Sequence, residues 1–131
     1  MIVRACIVAM IALGAAGGMS GCASDPIKEL QRVFKGEGEP QLQAGIKNYE
    51  DGRYAQASKH FEAALRAGLN RSGQITAHKY LAFIHCVSKR ERQCRGHFAS
   101  ALELDPAFEL GPAEAGHPMW GPVFRSVKAR R

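Results

Sequence analysis

One short pattern constrains this chain more than any other. Ala57-x3-Phe61-x2-Ala64-Leu65 recurs as Cys94-x3-Phe98-x2-Ala101-Leu102, 37 residues further on, and Gly45 and Ala82 stand at the same offset. A small, a bulky and a small residue spaced four and three apart share one face of a helix, because 3.6 residues complete a turn. Small side chains let two helices approach closely, and the phenylalanines fill the space beside them. The flanking sequence predicts where the helices break. Gly52-Arg53 interrupts the first segment, from Gln41 to Gly68, and Gly68 can close it. Polar Ser88 to Arg90 interrupts the second, from Ile75 to Pro106, where the proline stops it. The expectation is an all-α domain over residues 41–131, built on two helical hairpins.

This recurrence resembles the tetratricopeptide repeat, a helix–turn–helix unit of about 34 residues. The first copy also has Gly52-x-Tyr54, and the second has Leu81-Ala82 and Leu104-Asp105-Pro106 at the matching places. Gln41 and His78 stand where the family commonly has an aromatic, and Leu69 replaces the first proline. The three residues in excess of 34 are expected in a longer connection around Leu69 to Gly73. The resemblance covers residues 40–106. It implies a curved stack whose first helices face a partner, through Leu42, Ile46 and Tyr49 and then Lys79 and Phe83. Burial beneath a neighbouring helix is the competing fate of all five.

Two repeats are fewer than the three usually needed to close a core, so the flanks must supply a layer. Trp120, Val123, Phe124 and Val127 fall on one helical face after a Gly116-His117-Pro118 turn. A C-terminal helix capping the second hairpin follows, with Trp120 as a core anchor.

The amino-terminal part obeys a different grammar. Arg4 precedes an apolar run from Ala5 to Ala16 and then small residues, the layout of an export signal over residues 1–21. The run is too short to cross a hydrocarbon core of ~30 Å as a lasting helix. Met19-Ser20-Gly21-Cys22 resembles the lipobox of bacterial lipoproteins, with Met19 in place of the usual leucine. That resemblance implies lipidation at Cys22 and a membrane tether over residues 22–40. Ala23 and Ser24 follow, with no aspartate beside the cysteine, and in the lipoproteins this segment resembles that implies sorting to the outer membrane, periplasmic face. The tether can hold one short helix after Pro26, and Gly36-Glu37-Gly38-Glu39-Pro40 marks its end.

Export conditions the reading of the remaining cysteines. Cys86 and Cys94 flank a tight helical turn, and in an oxidising compartment such a pair points to a disulfide. Two reduced core cysteines are the bland alternative. A sharper one is a zinc site of His85, Cys86, Cys94 and His97, with Cys94 and His97 at helical i, i+3 spacing. Against it, His85 and Cys86 are adjacent and point about 100° apart on a helix. His60, His78 and His117 show no partner spacing and read as surface or core-edge residues.

Eighteen Lys and Arg against twelve Asp and Glu give a net charge of +6. Lys89, Arg90, Arg92 and Arg95 gather at the tip of the second hairpin, either a solvated turn or a docking patch for an acidic partner or anionic lipid. No aromatic interleaving supports nucleic-acid binding. Phosphate loops, nucleophile elbows and metalloprotease motifs are lacking, so neither catalysis, a cofactor, a metal nor a small-molecule substrate is expected. The reading is a lipid-anchored adaptor for a protein partner in assembly of an envelope or secretion machine. Lys79-Tyr80-Leu81-Ala82-Phe83 and Gly116-His117-Pro118-Met119-Trp120 resemble the secretion-associated lipoproteins, type VI accessory proteins and pilotins among them. The rival is a small periplasmic redox or metal-handling protein using Cys86, Cys94 and His97.

Overall fold

A computed structural model describes Ile27 and residues 36–131. Six helices account for most of these residues: α1 Glu39–Glu50, α2 Tyr54–Ala67, α3 Arg71–Val87, α4 Glu91–Leu104, α5 Pro112–Ala115 and α6 Gly121–Ala129. Among the described residues there is no strand, and no helix is long and apolar enough to cross a membrane. The expected export signal, Cys22 and most of the expected tether lie outside the described residues; Ile27 is helical.

The 37-residue recurrence is written in the backbone as well as the side chains. α1 ends with the Arg53 and Gly52 amides donating to the Asn48 and Tyr49 carbonyls; α3 ends with the Arg90 and Lys89 amides donating to His85 and Cys86. Each is a Schellman closure, which needs a left-handed residue just past the helix. Gly52 supplies it at φ +75°, without steric cost. Lys89 occupies the equivalent place at φ +59°, and it is the one non-glycine residue with positive φ among those described. α2 and α4 then begin and end at the same offset.

Close approach explains the small residues. A Cβ on Gly45 would sit 2.7 Å from the Phe61 ring, so only glycine lets α1 lie on α2 at this depth. Ala57, Ala64, Ala82, Cys94 and Ala101 are all fully buried, as are Phe61 and Phe98. Phe61, Leu42, Leu81 and Ile84 centre one apolar cluster, and Phe83, Phe98, Leu102, Trp120 and Phe124 centre the other. Tyr49 and Tyr80 pack against both and weld them together. Tyr80 stacks on Phe61, with ring centroids 5.3 Å apart. Burying one such aromatic contributes roughly 1.5–3 kcal/mol.

Two boundaries differ from the sequence expectation. The extra residues do not lengthen the connection after Leu69; they lengthen α3, which starts at Arg71. The reason is Asn70, whose side chain accepts the Gly73 amide and caps the helix five residues before Ile75. Gly36 and Gly38 are likewise part of the packed domain, not of a free tether. The Gly38 amide donates to the Gly68 carbonyl, 2.9 Å away, and α1 starts at Glu39 with Pro40 in its first turn.

The C-terminal segment supplies the missing layer. Phe124 of α6 meets Phe98 of α4 and Phe108 edge-on, at 5.2 and 5.7 Å between centroids. Leu110 and Trp120 are buried in the same cluster, with Val123 and Val127 packed against it. The short helix α5 is additional to the expected elements. Pro112 opens it, and the Glu114 carboxylate accepts the Gly111 amide to close its first turn.

Candidate functional site

The five residues expected to face a partner fall into two groups. Phe83 is covered by the chain itself, and Lys79 is half-buried and tied down by it. Phe83 is 2% exposed, and the Trp120 ring stacks on it at 4.1 Å and 18°. The expected partial exposure of Phe83 is therefore replaced by burial: it is a core residue. Trp120 is held there by its indole N–H, which donates to the Glu114 carbonyl at 2.8 Å, and by the His117 ring stacked on its outer side. Lys79 Nζ donates to Glu114 Oε1 at 2.6 Å and lies 4.8 Å from the Tyr80 ring centre. This arrangement closes the end of the face near the α5 segment.

Ile46 and Tyr49 remain partly exposed, whereas Leu42 is buried at 3%. Burial, then the neighbouring Tyr54, Tyr80 and Glu114, push the Tyr49 phenol up to about 12. It is thus a neutral aromatic, packed against Tyr54 and Tyr80 at 5.3 and 4.8 Å. Toward the start of α1 and α3 the face stays open. Leu42, Gln43 and Ile46 oppose Ser72, Gly73 and Thr76 across a cleft of about 340 Å³. On the far side of the same turn of α3, Ser72, Ile75 and Thr76 border a second cleft of about 580 Å³, closed by Arg71, Asp105 and Phe108. Arg71 is fixed by donating from Nε to the Leu104 carbonyl at 2.6 Å. The two clefts flank one exposed ridge of α3 with hydroxyl groups on an apolar base.

Cys86 and Cys94 lie at disulfide distance, with Cα atoms 5.2 Å apart. They occupy the places that Tyr49 and Ala57 hold in the first helix pair. Both are buried, and the sulfurs engage each other, so neither is presented as a thiolate to a metal or an incoming disulfide. Among the described residues, no group of three or more His, Cys, Asp and Glu side chains is arranged to hold a metal ion.

His97 belongs to a different cluster, which the sequence reading missed. Its Nδ1 is 2.9 Å from Nδ1 of His78, one ring donating and the other accepting. The His85 ring lies parallel to His97 at 5.2 Å, and its buried Nδ1 has no hydrogen-bond partner among the described residues. Burial holds all three imidazoles below their usual range, and His97 falls to about 4 with His78 and His85 adding to the effect. Arg90 also pushes His85 down, while Glu62 opposes it. The available signal was the seven-residue spacing of His78 and His85, two turns on one helix face. The partner on α4 becomes visible only once α3 and α4 are paired.

At the turn between those helices Lys89, Arg90 and Arg92 are exposed and form no ion pair among the described residues. Arg95 differs. It pairs with Glu91 at 2.6 Å and donates to Ser126 Oγ of α6. His60 bonds Gln41 across α1 and α2. Comparison with family models, curated proteins and solved structures yields no match for this chain.

Proposed function

We propose that this chain is a helical-repeat adaptor of the tetratricopeptide type, held by lipid at Cys22 on the periplasmic face of a bacterial outer membrane. There it binds a protein partner in assembly of an envelope or secretion machine. The single observation that carries the reading is the open cleft between α1 and α3, next to a face otherwise sealed by the chain's own Trp120 and Glu114. Stacked helix pairs present such surfaces for protein contacts. Ile46 offers apolar area, and Gln43, Asn70 and Ser72 offer hydrogen-bonding groups, a mixture suited to an extended polypeptide. The lipobox and the export grammar support the location. Arg90 and Arg92 at the tip serve to steer an acidic partner, since exposed charges act mainly on encounter rate.

The test is cross-linking capture from intact envelopes with Ile46→Asp combined with Thr76→Arg. Loss of an interface anchor costs about 2 kcal/mol or more, roughly a thirtyfold drop in affinity. The variant should lose its captured partner while its helical circular dichroism is unchanged. Capture at the wild-type level would overturn the reading.

A further inference from the structure

With Lys128 bonded to Phe108 at one end and Arg125 bonded to Ala115 at the other, α6 and the segment leading into α5 leave a gap between them. It forms a cleft of about 390 Å³, within the range of small ligand sites, and it opens to solvent. Leu110 and Phe124 make its floor; both are buried in the core cluster, so the floor is stiff. Ala115 and Ala129 make the walls, and their small side chains leave the room. The other lining residues are charged. Lys128 donates to the Phe108 carbonyl at 3.0 Å and pairs with Glu109, so its charge is already met. Arg125 is not so met. Its Nη1 donates to the Ala115 carbonyl at 3.2 Å, and it forms no ion pair with a carboxylate among the described residues.

The floor calls for an apolar group, and the guanidinium at the rim calls for an anion. One carbonyl bond fixes the guanidinium plane and leaves further N–H donors for a carboxylate, the geometry in which arginine binds two oxygens at once. We propose that this cleft receives the carboxy-terminal end of a partner polypeptide, its apolar last side chains on Leu110 and Phe124 and its terminal carboxylate on Arg125. The choice of a polypeptide over a free acid rests on the adaptor reading and on the open cleft, which lets the rest of a chain leave toward solvent. The site lies apart from the α1–α3 cleft, sharing no lining residue with it.

Trp120 is the only tryptophan in the chain, and its indole is tied to Glu114, one residue before the Ala115 wall. Its emission therefore reports on the cleft. Titrating the purified full chain with acetyl-Gly-Gly-Leu-Leu as the free acid should give a saturable shift. The same peptide as its C-terminal amide should bind roughly tenfold more weakly, the share of a charge-assisted bond. Arg125→Gln should cost the acid that same factor and leave the amide unchanged. Ala129→Phe should fill the cleft and abolish the shift with helical content intact. Equal binding of acid and amide, or no saturation, overturns the proposal. So does octanoate binding as tightly as the peptide acid, which would make this a small-carboxylate site. Peptide binding lost while capture through Ile46 and Thr76 persists removes this site alone; the reverse result removes the α1–α3 cleft and leaves this site standing.

Discussion

Acid should loosen the α3–α4 pair through its histidine cluster. His97 titrates at about 4 in the folded chain, held down first by burial and then by His78 and His85, against 6.5 when free. The folded state therefore binds fewer protons than the unfolded chain between those values. Stability is full above about 6.5 and falls as pH drops toward about 4, where the loss levels off. At 1.36 kcal/mol per pKa unit the gap corresponds to about 3 kcal/mol in a dry site. His97 is only partly buried, so solvent screening reduces this to about 1–2 kcal/mol. His78 and His85 act in the same direction. Urea unfolding followed by circular dichroism at pH 7 and pH 4.5 reads the effect. His97→Gln is the matched control, because an amide can still bond His78 but takes up no proton in this range. With an m-value of about 1 kcal/mol/M, the wild-type midpoint should fall by about 1 M more than that of His97→Gln. Contributions of other groups are common to both proteins and cancel. Parallel losses in the two proteins would refute the argument.

Reducing the Cys86–Cys94 pair releases a loop of sequence separation 8 and should cost about 2–3 kcal/mol; thermal melts with and without reductant should differ, and identical melts would contradict the constraint. Lys89→Gly should stabilise the fold by about 0.5–1 kcal/mol, because Lys89 holds a left-handed conformation that glycine adopts freely; a destabilised variant would mean that the Lys89 side chain makes a contact worth more than the strain. Gly45→Val should lose about 1–3 kcal/mol against the Phe61 ring, and adding Phe61→Leu should restore part of that loss in a double-mutant cycle.

The core was legible where a repeat doubled the signal. Ala57, Phe61, Ala64 and their counterparts Cys94, Phe98 and Ala101 stood out because helical spacing and side-chain size agree twice in one chain. Trp120, Val123, Phe124 and Val127 were readable from period alone, since an amphipathic stripe needs no knowledge of its partner. The start of α3 was not, because Arg71, Ser72 and Gly73 have the composition of a loop and only the Asn70 cap turns them into a helix. Phe83 was misplaced for a different reason. It packs against Phe98 of α4 and Tyr49 of α1, and Trp120, 37 residues later, folds back over it. Contacts of that range leave no local mark. The histidine cluster failed to show for the same reason, with His97 brought to His78 by the turn at Lys89. The cleft beside Arg125 is lined by two small residues from separate segments, Ala115 and Ala129, which read as ordinary helix formers.

The most direct test of the adaptor account is to place a photo-cross-linking amino acid at Thr76, at Arg92 and at Lys59, one at a time, in cells that make the protein. Thr76 sits on the ridge between the two clefts, Arg92 at the basic tip, and Lys59 on the exposed side of α2. A partner held in the α1–α3 cleft gives one dominant light-dependent adduct from Thr76, a weaker one or none from Arg92, and none from Lys59. An adduct from Arg92 or Lys59 with nothing from Thr76 would contradict the account.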